Sequence, residues 1–201
     1  MQTKSAQAAL AEEDFLRARF YGLLATLLAS APPVELLARL GGLKEDATPL
    51  GAALGQLAAA ARAADPQTVG DEFDALFIGV TGGELVPYGS WYLTGFLHEK
   101  PLALLRDDLA RLGVERSPGV AESEDHAASL FETMQGLITG LFDQALPLAE
   151  QKAFFATHIQ CWAPRFFSDL EKAPSARFYG AVGTVGRVFL DIEAQAFAML
   201  D

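Results

Sequence analysis

Cysteine is almost absent from this 201-residue chain, and its scarcity excludes several kinds of site. Cys161 is the single cysteine, so no disulfide can form within the chain and no thiolate cluster can bind a metal. The usage is typical of a reducing compartment. Long apolar runs are also missing, because the best candidate, Phe20 to Ala31, is far shorter than the roughly 20 residues that span a bilayer. No cleavable apolar leader precedes the acidic residues at 12–14. We therefore expect a cytoplasmic protein without stable membrane insertion.

Basic residues are missing from two long stretches of the chain. No Lys or Arg occurs between Arg62 and Lys100, or between Arg116 and Lys152, and the formal net charge is -11. Such a balance disfavours nucleic acid and anionic membrane surfaces, which attract basic proteins. If the two stretches meet in space, they form an acidic surface lined by aromatic side chains. That surface would suit a peptide that carries arginines followed by an apolar segment.

Strand patterns are absent too, and apolar residues recur at helical spacing throughout. We predict an all-α chain with one domain over residues 1–201, in which Arg116–Gly119 is a candidate hinge between N- and C-terminal helical parts. Ser123 is expected to cap the helix after this hinge, and Pro164 to kink or split the next one. Further helices are predicted at 8–29, 34–40, 49–63, from 65 into the 73–77 apolar stripe, 101–112, and after Pro174.

The common enzyme signatures are missing as well. The sequence has no phosphate-binding Gly-rich loop followed by Lys, no Glu-x-x-His pair and no Gly-x-Ser-x-Gly elbow. His158 and Cys161 lie one helical turn apart without a visible further ligand, which favours a partly buried pair over a metal site. Asp125 and His126 are neighbours that would point about 100° apart on a helix, and Asp125 reads first as a helix-start acid. We predict no catalytic residue, no metal site and no cofactor. A small helical enzyme or nucleotide-binding regulator that uses Asp125 and His126 remains the alternative.

What the sequence does contain is an aromatic segment, from Glu84 to Tyr92. Pro87, Tyr88 and Trp91 surround Gly89 there, which indicates a rigid loop with flat apolar faces. Such a loop is either packed core or a binding surface, and composition alone leaves both readings open.

Three motifs in a fixed order carry a resemblance to a known family. They are F-D-A-L-F-I-G at 73–79, P-Y-G-S-W-Y at 87–92 and E-S-E-D-H at 122–126. This order resembles the TorD/DmsD/NarJ family of cytoplasmic chaperones for molybdoenzymes. The resemblance implies a helical fold of the TorD/DmsD type without catalytic activity, as a monomer or homodimer. It also implies two partners, a twin-arginine signal peptide and the apo form of a molybdopterin oxidoreductase, whose cofactor insertion the chaperone assists while delaying export.

The resemblance also implies a set of site residues. Those expected to form or support the signal-peptide site are Asp125, His126, Pro87, Tyr88, Ser90, Trp91, Leu76 and Phe77. Three glutamates could add an electrostatic contribution, namely Glu84, Glu122 and Glu124. Ser123 stands where the family motif usually has proline, so this loop keeps Asp125 and His126 but departs from the family pattern at the residue that would make it rigid.

Overall fold

The computed structural model describes residues 11–79, 82–115 and 122–200, and it confirms the all-α prediction for them. Within these ranges the chain forms ten α-helices and no β-strand. π-helical turns extend α4 through Asp74–Ile78 and α8 through Ala156–Gln160. The candidate hinge at 116–119 lies outside the described residues. The helices are α1 (Glu12–Ala29), α2 (Val34–Gly41), α3 (Pro49–Ala63), α4 (Pro66–Phe73), α5 (Gly89–Thr94), α6 (Lys100–Arg111), α7 (Ala127–Thr139), α8 (Leu148–Phe155), α9 (Ala163–Lys172) and α10 (Phe178–Ala198).

Proline and short polar side chains set several helix starts. Asp65 caps α4, because its carboxylate accepts a hydrogen bond of 3.1 Å from the backbone N–H of Thr68. Pro66 follows in the first turn, where its missing N–H costs nothing. Pro164 acts in the same way at the start of α9 and so separates α9 from α8, which is the split that the sequence predicted.

The core lies between α1, α7, α9 and α10, which pack around large buried aromatic side chains. The rings of Phe131 and Phe167 stack with centroids 5.7 Å apart, and the ring of Tyr21 packs edge-on against Phe189. The fully buried aromatic residues are Tyr21, Phe131, Phe155, Phe166, Phe167 and Tyr179. The short helix α5 packs on this core, since the ring of Tyr92 contacts those of Trp162 and Phe166.

A buried carboxylate joins the two halves of the chain. Glu72 on α4 accepts backbone hydrogen bonds from Arg177, Phe178 and Tyr179, at 2.8, 3.1 and 2.7 Å. These N–H groups lie at the N-terminus of α10, where a negative charge is favourable. Glu72 therefore fixes α4, and the π-helical turn that follows it, against the C-terminal helix.

Two local expectations are corrected by the structure. Ser123 does not cap α7, because that helix begins at Ala127 and the His126 side chain accepts the capping hydrogen bond from the N–H of Ala128. The aromatic segment is also not all loop, since Gly89–Thr94 forms the short helix α5. Its first turn is held by contacts distant in sequence, which local propensity does not reveal.

Candidate functional site

The aromatic segment and the 122–126 motif meet directly, although residues 93–121 separate them in sequence. The N–H of Gly89 donates to the carbonyl of Asp125 at 2.9 Å, and the N–H of Ala127 donates to the carbonyl of Pro87 at 2.8 Å. Tyr88 and His126 form an isolated antiparallel bridge between these bonds. The two base-poor stretches therefore come together here, and we refer to residues 87–90 with 122–127 as the junction.

Asp125 lies at the centre of the junction and is only 3 % exposed. One carboxylate oxygen accepts from the N–H of Ser90 at 2.9 Å, and the other accepts from the hydroxyl of Ser123 at 2.7 Å. Both oxygens thus have partners, so Asp125 positions the first turn of α5 against the 122–126 motif. This buried role differs from the helix-start acid that the sequence first indicated. Ser123, in the place of the family proline, supplies one of the two hydrogen bonds.

Tyr88 and His126 pack against each other at the edge of the junction. Their rings meet edge to face, with centroids 4.9 Å apart. The Tyr88 hydroxyl donates to a carboxylate oxygen of Glu122, and burial together with this acid raises the pKa of Tyr88 well above its usual value. Burial lowers the pKa of His126, although the charges of Glu122 and Asp125 oppose that shift. A neutral His126 is consistent with its ring nitrogen accepting from the N–H of Ala128 at 3.1 Å.

This arrangement predicts how stability depends on pH. A histidine whose pKa is lowered by folding binds protons more readily in the unfolded state than in the folded state. Its contribution to the free energy of unfolding is therefore complete above pH 6.5, the pKa of an unfolded histidine, and is lost as the pH falls below that value. Between pH 7.5 and 5.5 the melting temperature of wild-type protein should fall more than that of His126→Asn, because asparagine keeps a capping oxygen and does not titrate. Thermal circular dichroism at both pH values measures the difference.

The control for this prediction is His98→Asn. His98 is exposed and has a φ of 61°, a conformation that asparagine also tolerates. That variant should keep the wild-type pH dependence. An unchanged pH dependence in His126→Asn would show that His126 does not titrate in this way.

An exposed apolar patch adjoins the junction. It comprises five large side chains on α5, on the turn after it and on α6, namely Trp91, Leu93, Phe96, Leu97 and Leu104. Trp91 is 42 % exposed and Phe96 is 68 % exposed. Large apolar groups clustered at a surface in this way are typical of binding sites. Trp91 is therefore not fully packed in the core, and part of its ring is accessible to a partner.

Two depressions adjoin part of the apolar patch. A cavity of about 120 Å³ has apolar walls from Leu93, Leu104 and Trp162, and both Asp125 and His158 reach its lining. On the other side of α5, Trp91 and Leu93 line a groove of about 610 Å³, together with Glu84, Leu85, Val86, Arg165 and Asp169. The cavity could hold an apolar side chain of a bound peptide, whereas the groove also presents the charged groups of Glu84, Arg165 and Asp169.

The three glutamates proposed for electrostatics are all engaged by neighbouring groups. Glu122 accepts the hydrogen bond from the Tyr88 hydroxyl. Glu124 forms an ion pair with Arg106 on α6, with 2.8 Å between the charged atoms. Glu84 accepts from the N–H and hydroxyl of Ser175. Arg106 comes from outside the base-free stretches, so the acidic surface is partly neutralised in a way that the sequence did not predict.

Leu76 and Phe77 lie behind the exposed surface. Leu76 is fully buried, and the ring of Phe77 packs against Tyr179 with centroids 5.4 Å apart. The Leu76 carbonyl accepts from the N–H of Leu85 at 2.9 Å, which holds the start of the aromatic segment. A Cβ on Gly83 would come within 2.5 Å of that carbonyl oxygen, so only glycine allows this approach. These two residues can support the site but do not join its exposed apolar patch.

His158 and Cys161 do not act as a pair. The His158 ring forms a hydrogen bond of 2.8 Å with the Asp108 carboxylate on α6, which lowers the pKa of Asp108. The Cys161 thiol donates a hydrogen bond to the carbonyl of Thr157. In the part of the chain that the structure describes, no group of three or more His, Cys, Asp or Glu side chains could hold a metal ion. Among the same residues, no helix combines the length and apolar character needed to cross a bilayer.

Sequence reasoning missed several residues of this surface. Leu104 carried a usable signal, since Leu102, Leu105 and Leu109 form the buried stripe of α6 and Leu104 lies off it. No local sequence pattern indicated the roles of Arg106, Asp108 or Trp162, because the residues that they contact lie far away in the sequence.

Comparisons with known proteins agree with the motif-based resemblance. Residues 43–168 match the family model described as nitrate reductase delta subunit, a range that includes the junction and the apolar patch. Among solved structures, one from Archaeoglobus fulgidus described as "a putative redox enzyme maturation protein" superposes with a TM-score of 0.55. It is 17 % identical, with 88 % of this chain and 94 % of that chain covered, so the likeness concerns the fold. No curated protein matches the sequence.

Proposed function

The chain belongs to the nitrate reductase delta subunit family, and from this membership we propose that it is a molecular chaperone for a molybdenum-cofactor oxidoreductase. In this proposal it binds the signal peptide of the apo-enzyme in the cytoplasm, assists cofactor insertion and delays twin-arginine export until maturation is complete. The chaperone itself has no catalytic step. Asp125 fits such a role, because both of its oxygens are committed to holding the junction.

The apolar patch beside the acidic junction is the observation that carries this proposal. A twin-arginine signal peptide combines arginines with an apolar segment, and the two surfaces offer a complement to each part. Trp91 and Leu93 would provide apolar anchorage, while the charges of Glu84, Glu122 and Glu124 would orient the basic end. Pro87, Tyr88, Ser90, Asp125 and His126 would keep α5 and its exposed face in position.

This division of roles predicts a salt-dependent interaction with a signal peptide. The probe is a synthetic peptide with two adjacent arginines followed by a leucine-rich segment, titrated calorimetrically. Raising the salt concentration from 0.05 to 0.5 M should weaken binding about three- to tenfold, because exposed ion pairs contribute about 0.2–1 kcal/mol each and are screened. The loss should be partial, since the apolar contacts remain.

A matched peptide with glutamine in place of both arginines is the control. It should bind more weakly at low salt and respond little to added salt. Equal affinity of both peptides at both salt concentrations would remove the electrostatic part of the proposal. Failure of both peptides to bind would contradict signal-peptide binding itself.

A further inference from the structure

A second apolar groove lies between α1 and α2, with α3 and α7 at its base, and has a volume of about 800 Å³. Leu16, Phe20 and Leu23 on α1 line it, facing Leu36 on α2 and Leu54 on α3. None of its lining residues belongs to the junction or to the apolar patch. The groove is therefore separate from the site proposed for the signal peptide.

The shape of this groove matches a helix. Leu16, Phe20 and Leu23 recur at i, i+4 and i+7, so they form a ridge about 10 Å long on α1. Leu36 and Leu54 pack on the core and are only partly buried, as are Phe20 and Leu23. An apolar channel about two helical turns long is the form in which amphipathic helices bind to protein surfaces.

The charge along the groove is unusual for this acidic protein. Arg19 on α1 and Arg39 on α2 both line it, accompanied by one acid, Glu35. Among the described residues, no carboxylate lies within ion-pair distance of either guanidinium, and Arg19 instead lies 5.7 Å from the ring centroid of Phe15. Two such cations beside an apolar channel would complement carboxylates on a bound partner.

We infer that this groove binds an amphipathic helix of the client enzyme, outside its signal peptide, whose two-turn apolar stripe is flanked by acidic side chains. The identity of the partner rests on the proposed function, whereas the chemistry of the groove does not. Contact at two separate surfaces would let the chaperone hold the body of the apo-enzyme as well as its leader, and would increase the effective concentration of each interaction.

The test uses two synthetic helical peptides with leucines at i, i+3, i+4 and i+7. One carries glutamates beside the leucines and the other carries lysines at the same positions. Fluorescence anisotropy should show the glutamate peptide binding at least tenfold more tightly than the lysine peptide. The Arg19→Glu/Arg39→Glu variant should reverse this preference, and the signal peptide should not compete.

The matched control is Arg111→Glu/Lys172→Glu, which changes the net charge equally on α6 and α9 and should keep the wild-type preference. Equal binding of both peptides, or an unchanged preference after reversal at 19 and 39, would overturn the inference. The inference would also be overturned if sedimentation velocity showed a dimer that the Arg19→Glu/Arg39→Glu variant does not form, since the groove would then bind a second copy of the chain. Binding that appears only after deletion of residues 1–10 would assign the groove to the chain's own N-terminus. In each case, signal-peptide titration still tests the proposed function separately.

Discussion

Replacing Asp125 by alanine is expected to lower the melting temperature by about 6–12 °C. The substitution removes two hydrogen bonds to a buried charged acceptor and leaves the N–H of Ser90 without its partner. Hydrogen bonds to charged groups contribute about 1.5–3 kcal/mol, and an unsatisfied buried donor adds its desolvation cost, so we expect a loss of about 3 kcal/mol. In a domain of this size, each kcal/mol corresponds to about 2–4 °C. Differential scanning calorimetry measures the change.

Asp125→Asn is the matched variant for this prediction. The asparagine oxygen can accept from the Ser90 N–H while its amide donates to the Ser123 hydroxyl, so the junction keeps both hydrogen bonds and loses only the charge. The expected loss is about 1 kcal/mol. If alanine were tolerated as well as asparagine, Asp125 would be only a helix-start charge, worth about 0.3–1 kcal/mol, and the junction would not depend on it.

The helices could be predicted from sequence because their signals are local. Asp65 and Pro66 mark the start of α4, Pro164 separates α8 from α9, and apolar residues at helical spacing identify the long C-terminal helices. The start of α7 was placed too early because Ser123 is a favourable cap in isolation. In the folded chain its hydroxyl is used by Asp125, and His126 caps the helix instead.

The site was harder to predict because its geometry depends on contacts between distant segments. The second and third motifs lie in segments that pack together, so Pro87, Tyr88, Ser90, Asp125 and His126 do come together. The ion pair between Arg106 and Glu124 could not be read from either residue alone. The short helix α5 was missed for a related reason, since the N–H groups of Gly89 and Ser90 are satisfied by Asp125, 35 residues after Ser90.

Trp91→Ala is expected to weaken signal-peptide binding about thirtyfold while the protein stays folded at the temperature of the titration. Trp91 is 42 % exposed, so a little under half of its surface is available to a ligand and the rest packs against the protein. Truncation of a central aromatic anchor costs about 2 kcal/mol or more, which corresponds to about thirtyfold in Kd. Because the contact is apolar, the loss should persist at high salt.

The most direct test of the central claim is the calorimetric Kd of the arginine-containing peptide for wild type, Trp91→Ala and Ile192→Ala. Ile192 on α10 lies outside the junction and the apolar patch. Its exposed fraction of 41 % is close to the 42 % of Trp91. We predict the thirtyfold loss for Trp91→Ala and wild-type affinity for Ile192→Ala, with all three proteins folded at the temperature of the titration. Wild-type affinity in a folded Trp91→Ala protein would contradict the claim that the apolar patch beside the junction binds the signal peptide.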